Sequence, residues 1–330
     1  MVKYSKPRAG SLAYMPRKRA RKETPRIHFW PDPGEARILG FAGYKVGMSN
    51  VLAIDHRKNS PTSGLEVFVP VTVLETPPLS VAAIRFYKKG YTGLQVHSDI
   101  YSDNLSEDFK RAITTLDSKK KKPDKELKEL EKELDEIADI RLIVYTQPQL
   151  TSLSKKKPDL MEMHIGGAVG EKLDYAKEKL GESISLSEVF RENQCVDITA
   201  VSKGKGYQGV IKRYGVRMQP RKAGKGRRHI GSGGAWTPAR KMWREPLPGQ
   251  MGYHTRTENN KMLMHIGDDG SKINPGDGFP RYGTVKKEYI LIKGSVPGPS
   301  KRLIRMTHPR KPKKEVTYEI THVNLSTKQK

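Results

Sequence analysis

The chain of 330 residues contains a single cysteine, Cys195. One thiol excludes a disulfide framework and a thiolate zinc site, and its isolation fits a reducing compartment. Long apolar runs are also missing: nothing approaches the roughly 20 residues of a membrane-spanning helix. The basic N-terminus lacks the apolar core of a secretory signal, so a soluble intracellular protein is expected. Carboxylates are scarce beside cations, 36 Asp and Glu against 62 Lys and Arg, which leaves a formal charge of +26. The hydrophobic fraction is 35%, low for a globular domain even when glycine is added. A core is therefore expected, but not one that includes the whole chain, while 7% aromatics argue against wholesale disorder. The nine histidines show no HExxH pattern and no tight grouping with carboxylates, so no metal, no cofactor and no catalytic residue is expected.

What is abundant is positive charge, and it is segregated. Residues 1–26 carry nine basic side chains and one acid; residues 203–261 carry fifteen and two; residues 301–314 carry seven and none. The remaining 231 residues have a net charge of −2. A nearly neutral body thus bears three cationic segments, which points to a polyanionic partner, most commonly nucleic acid.

The body reads as β-rich. Leu65–Leu74, Val81–Tyr87, Glu288–Lys293 and Val316–Val323 are rich in β-branched and aromatic residues and bounded by Gly, Pro and Asn, as short antiparallel strands are. Strands on both sides of a long insert imply one β-domain with projecting loops. Leu127, Leu130, Leu134 and Ile137 recur at helical spacing and predict one amphipathic helix that packs on its own domain. The Lys119–Lys122 run before it reads either as a phosphate contact or as a solvated linker, since acids follow it immediately, and Ser185 with Glu188 reads as a capping box. Cys195, beside Val196 and Ile198, reads as a small buried residue of a strand.

Residues 203–261 are too poor in apolar residues to bury a core and predict a functional loop. Glycine permits close backbone approach to a sugar–phosphate chain, Lys and Arg neutralise phosphates, and Tyr207, Tyr214, Trp236, Trp243 and Tyr253 suit stacking on unpaired bases. This mixture fits folded RNA better than duplex DNA. Gly204-Lys-Gly-Tyr-Gln-Gly209 matches a dinucleotide or kinase glycine loop, but Val210–Gly215 is β-branched and ends in glycine, which argues against the helix such a loop should open; HRD and DFG are absent. An RNA-modifying enzyme and a chromatin-type DNA binder are the competing readings; the first needs a pocket of perturbed groups that no cluster here supplies.

Several long motifs carry a resemblance. Phe190 with Asp197-Ile-Thr-Ala-Val-Ser-Lys-Gly-Lys-Gly-Tyr-Gln-Gly209 and Arg213, Pro7–Ala20, Gly43–Met48, Val73–Pro78, Gly234–Ala239 and Gly249–Thr257 together resemble the large-subunit ribosomal protein L-three family in its archaeal and eukaryotic form, and the length suits the archaeal branch. The resemblance implies a mainly β fold with an α/β insert: a translation-protein-type β-barrel with a helical insertion, a basic N-terminal extension and a long basic central loop. In this sequence those parts fall at 1–36 (extension), 37–104 (first barrel part), 105–190 (helical insertion), 191–202 (barrel strand), 203–261 (central loop) and 262–330 (second barrel part with the basic C-terminal segment).

The resemblance further implies a structural constituent of the 50S subunit, not an enzyme. Such a protein binds 23S rRNA near its 3′ end, nucleates subunit assembly and sends its central loop toward the peptidyl transferase centre, with Trp236 matching the loop tip. The rRNA-binding residues expected are Arg17, Lys18, Arg19, Arg21, Lys22, Lys203, Lys205, Arg213, Arg217, Arg221, Lys222, Lys225, Arg227, Arg228, His229, Arg240, Lys241, His254 and Arg256. Neighbours implied are large-subunit proteins, L-fourteen and L-twenty-four-e by family expectation, with no membrane and no small-molecule substrate. One departure stands out: where eukaryotic members have a modifiable histidine this chain has Gly224, and His229 is out of register, so no such modification is carried over.

Overall fold

The computed structural model describes residues 10–114, 123–313 and 316–326. Lys3, Lys6, Arg8, Lys119–Lys122 and Lys314, all part of the charge readings above, lie outside the described residues. In chain order the strands are β1 Gly40–Asp55, β2 Glu66–Glu75, β3 Leu79–Gly90, β4 Gly93–Tyr101, β5 Ile137–Tyr145, β6 Leu160–His164, β7 Ser183–Ile184, β8 Cys195–Val201, β9 Tyr207–Gln208, β10 Gly249–Gln250, β11 Thr255–Gly267, β12 Tyr289–Lys293, β13 Leu303–Thr307 and β14 Tyr318–Val323. The helices are α1 Glu107–Lys110, α2 Pro123–Glu131, α3 Val169–Lys179, α4 Leu186–Val189 and α5 Val210–Tyr214. The fold is mainly β. It divides into two compact units: residues up to 22 with 201–256, and residues 23–200 with 257 onward.

The larger unit holds two sheets. The first runs β13-β8-β11-β12-β2-β1-β14, and β13 also pairs with β1. Gly40–Tyr44 of β1 lies antiparallel to Leu303–Thr307, while Tyr44–Ile54 pairs with β2, so the hydrogen-bonded path returns on itself. Along β2, Val69, Val71 and Val73 are buried while Phe68 and Pro70 alternate outward. Phe41, Ile198, Leu263 and Ile304 meet those valines in one core. The second sheet, β4-β3-β5-β6 with β7 on β3, packs Phe86, Ile140 and Leu142 into the same core.

Two expectations about residues 105–190 change. The segment is not simply helical, because β5, β6 and β7 come from it and join β3. The Leu stripe is not one helix: α2 ends at Glu131, Leu134 lies in a 3-10 turn and Ile137 begins β5. From Ile137 onward, Ile140, Leu142 and Val144 are fully buried between neighbouring strands, and sheet pairing overrides a spacing that also fits a helix. At α4 the Ser185 backbone N–H donates to Glu188 at 3.0 Å, the carboxylate half of a capping box. Cys195 is half-buried at the start of β8.

Several cations of this body are paired internally. Arg85 bonds Asp99 at 2.6 Å and Glu162 at 2.5 Å, Arg141 bonds Asp139 at 2.9 Å, and Lys172 of α3 reaches Asp139 at 3.0 Å. Lys88 meets Glu136 at 2.7 Å, and Lys177 meets Glu131 at 2.5 Å. These carboxylates leave little of the neighbouring cationic charge for an external partner.

Candidate nucleic-acid interface

The smaller unit reverses that balance. Residues 1–22 and 201–256 contain twenty-two lysines and arginines and one carboxylate, Glu245. Its described part is built on a short ribbon in which Gln208 and Tyr207 pair with Gly249 and Gln250. The ribbon continues through Lys205 N–H to Met251 O and Ser202 N–H to His254 O, both 2.9 Å. At Gly252, φ is +70°, and a β-carbon there would collide with the Lys203 carbonyl oxygen; only glycine lets the two arms approach this closely.

After β9 the chain does enter a helix, against expectation. α5 is one turn and a half, from Val210 to Tyr214, stopped by Gly215 in the left-handed conformation at φ +67°. Burial of Val210 and Tyr214 compensates for the weak helix propensity of its β-branched start. Together with buried His254 these side chains give 203–261 a small interior, so it is more than a coreless loop. Its return arm becomes β11 at Thr255, seven residues before the expected boundary at 262.

Arg213 organises this unit. Its Nε donates to Gln250 O at 3.0 Å, Nη1 to Leu247 O at 2.7 Å and Nη2 to Arg17 O at 3.4 Å. Arg17 donates to the Arg213 carbonyl and lies over the Tyr214 ring, 4.1 Å from its centroid. The N-terminal segment is further fixed by Ala20 N–H to Tyr253 O, 2.8 Å, by Arg19 over Tyr253 and by Arg256 over Tyr14. His254 Nδ1 is 2.7 Å from Lys18 O; a carbonyl only accepts, so this nitrogen carries the proton. Burial pushes the His254 pKa below its ordinary value, and although the bond to Lys18 opposes this, Arg256, Arg213 and Arg17 reinforce it.

The nineteen expected contact residues therefore fall into two sets. Lys18, Arg19, Arg21, Lys22, Lys203, Lys205, Arg217, Arg221, Lys222, Lys225, Arg227, Arg228, His229, Arg240 and Lys241 are exposed. Arg17, Arg213 and Arg256 are half-buried, His254 is buried, and all four are engaged with the unit's own main chain or rings. The aromatics divide likewise: Trp236 is 94% exposed, Tyr207 75% and Trp243 65%, whereas Tyr214 is buried and Tyr253 half-buried. Lys241 also shapes the turn that carries Trp236, donating to Ser232 O at 2.7 Å and Gly233 O at 3.2 Å beside Glu245 at 4.0 Å.

The third cationic segment, 301–314, is mixed. Arg305, 5% exposed, donates to Pro25 O at 3.0 Å and Glu162 O at 2.5 Å, and burial lowers its pKa to about 10. Arg302 faces Glu23 at 3.4 Å, while Lys301, Arg310, Lys311 and Lys313 are exposed. Among the described residues no group of three or more His, Cys, Asp or Glu has metal-site geometry, and no helix is long and apolar enough to cross a membrane.

An arrangement of exposed cations, glycine-shaped turns and open aromatic rings, with a single carboxylate, is suited to phosphates and unpaired bases. The chain is also similar to known proteins. Residues 1–327 match the family model described as Ribosomal protein L3. A protein named large ribosomal subunit protein uL3 from Methanobrevibacter smithii is 49% identical, with 100% of this chain and 99% of the relative covered. The protein of that name from Archaeoglobus fulgidus is 48% identical with the same coverage, and that from Methanocaldococcus jannaschii is 45% identical with 98% of each chain covered.

Proposed function

The chain belongs to the ribosomal protein L3 family, and from that premise we propose that its smaller unit is the main large-subunit rRNA-binding surface of a protein whose larger unit is a folded body. As a member of this family the chain is a structural constituent of the large ribosomal subunit in the cytoplasm and is not an enzyme. One observation carries the assignment of the surface. Body cations such as Arg85, Arg141 and Lys172 are paired with carboxylates, whereas the segments that carry the exposed cations of the smaller unit, 1–22 and 201–256, contain a single carboxylate, Glu245. Unpaired cations release counterions when phosphates replace them.

The finer reading extends from there. The fifteen exposed residues of the first set contact 23S rRNA directly. Arg17, Arg213, Arg256 and His254 act indirectly, by holding the surface in shape. Trp236 is the tip that approaches the peptidyl transferase centre. The strand circuit closed by β13 and β1 supports a translation-type barrel, with 105–190 as a mixed insertion. Binding near the 3′ end of 23S rRNA, nucleation of assembly and contact with proteins L-fourteen and L-twenty-four-e complete the proposal. Reconstitution of large subunits with and without the protein tests it: impaired assembly without it is expected, and unchanged assembly would overturn it.

A further inference from the structure

We infer that Phe29 and Arg310 form a second, preassembled contact for an unpaired nucleotide of RNA, carried by the larger unit. The inference rests on the ribosomal reading above but uses none of the residues assigned there. The Arg310 guanidinium lies over the Phe29 ring, 4.7 Å from its centroid. Arg310 is exposed, and Phe29 is 48% exposed although it is a large apolar side chain.

Both partners are held from behind. The chain before Phe29 is fixed at Pro25, whose carbonyl accepts from buried Arg305 at 3.0 Å. Trp30, directly after it, stacks on His164 at 4.8 Å and 15°. On the other side the Arg310 backbone N–H donates to Asp197 Oδ2 at 3.0 Å, and Asp197 Oδ1 accepts from Asn260 N–H at 2.7 Å. His308 packs against Phe190 at 5.0 Å. The stacked pair is thus positioned before any ligand arrives, which reduces the ordering cost of binding.

Its chemistry selects the ligand. Residues 24–30 and 308–313 contain no Asp or Glu, and Arg26, His28, Lys311 and Lys313 of the same two segments are exposed. Arg310 has no carboxylate partner among the described residues. A guanidinium stacked on a ring keeps its N–H edge free for phosphate oxygens, and the open part of Phe29 offers a surface for a base. An unpaired nucleotide supplies both an anion and a π-face. In the smaller unit the comparable Arg17–Tyr214 stack has its ring buried and is internal; the Phe29 stack is open.

The test uses the full-length protein and its salt-dependent binding to naked large-subunit rRNA, with ultraviolet crosslinking in assembled subunits. Phe29→Ala is expected to weaken binding about tenfold at every salt concentration without changing the log–log slope, and Phe29→Trp to remain within about twofold of wild type. Arg310→Gln is expected to lower the slope by about 0.7–0.9, and crosslinks to RNA should map to residues 26–30. Wild-type affinity for Phe29→Ala, or crosslinks from 26–30 to a neighbouring protein instead of RNA, would overturn the inference. If Arg227→Ala and Arg228→Ala lower the slope while Phe29→Ala has no effect, this inference alone fails. If none of these variants responds, the rRNA reading fails with it.

Discussion

Arg17 and Arg213 grip each other's main chain. Arg17 donates to the Arg213 carbonyl, Arg213 Nη2 donates to the Arg17 carbonyl at 3.4 Å, and both guanidiniums lie over the Tyr214 ring, 4.1 and 5.3 Å from its centroid. Two like charges converge here because main-chain oxygens and a π-face, rather than carboxylates, receive them. Arg213→Ala should therefore loosen residues 10–22 and 201–256 by about 1.5–3 kcal/mol. Arg213→Lys should not rescue it, because an ammonium lacks the fork that reaches Gln250, Leu247 and Arg17 together. Hydrogen exchange of the 201–256 amides measures this; unchanged protection in Arg213→Ala would remove the clasp from the account.

Arg305 and Lys311 stand six residues apart in one basic run and should behave oppositely. Arg305→Met leaves the carbonyls of Pro25 and Glu162 without their donor and should cost about 3 kcal/mol of stability, read as a lower Tm, with the salt slope of RNA binding unaltered. Lys311→Ala, at an exposed position, should leave Tm within the effect of a surface change, about 0.5 kcal/mol.

Acid should destabilise the larger unit before its carboxylates protonate. Burial, with Arg141 nearby, holds the His164 pKa down to about 4; burial, with Arg37 nearby, does the same for His308. A histidine whose folded pKa lies below its unfolded value binds a proton more readily when unfolded, so stability rises with pH through that window. The contribution is complete above the unfolded value near 6.5 and is lost as pH falls toward 4. Denaturant midpoints across pH 4–8 should be flat above 7 and fall below about 6.5. Removing either ring, as in His308→Gln, should shallow the slope; a wild-type slope in both single variants would contradict the assignment.

Trp236 projects from a turn held by Lys241 rather than by its own contacts. Trp236→Ala should leave Tm unchanged and rRNA affinity within about twofold, since the exposed cations remain, while perturbing A-site tRNA binding or sensitivity to drugs that act there. Loss of rRNA binding with normal tRNA binding would show that the tip is misplaced.

The strands were legible where period-2 patterning coincides with β-branched residues, as along β2 and β12. The circuit closed by β13 and β1 was not, because Gly40–Tyr44 meets Leu303–Thr307 across some 260 residues and no local pattern encodes that pairing. The Leu127–Ile137 spacing misled because i, i+3, i+4 and a strand start are compatible with the same residues. At the interface, composition located the cationic segments but not the fate of each charge. Nothing local separates Arg305, buried, from Lys311, exposed, or Arg213 from Arg227. The difference arises from which side chains the fold encloses: Arg227 reaches the Gln219 carbonyl at 3.3 Å yet stays exposed.

On the proposed function, unpaired cations of the smaller unit bind large-subunit rRNA while paired cations of the body do not, and the decisive measurement is the log–log salt dependence of full-length protein binding to 23S rRNA. Arg227→Ala and Arg228→Ala should each lower the slope by about 0.7–0.9, whereas Lys177→Ala, whose ammonium is 2.5 Å from Glu131, should leave it unchanged. Equal slopes for wild type and both arginine variants, or an equal drop for Lys177→Ala, would contradict the account.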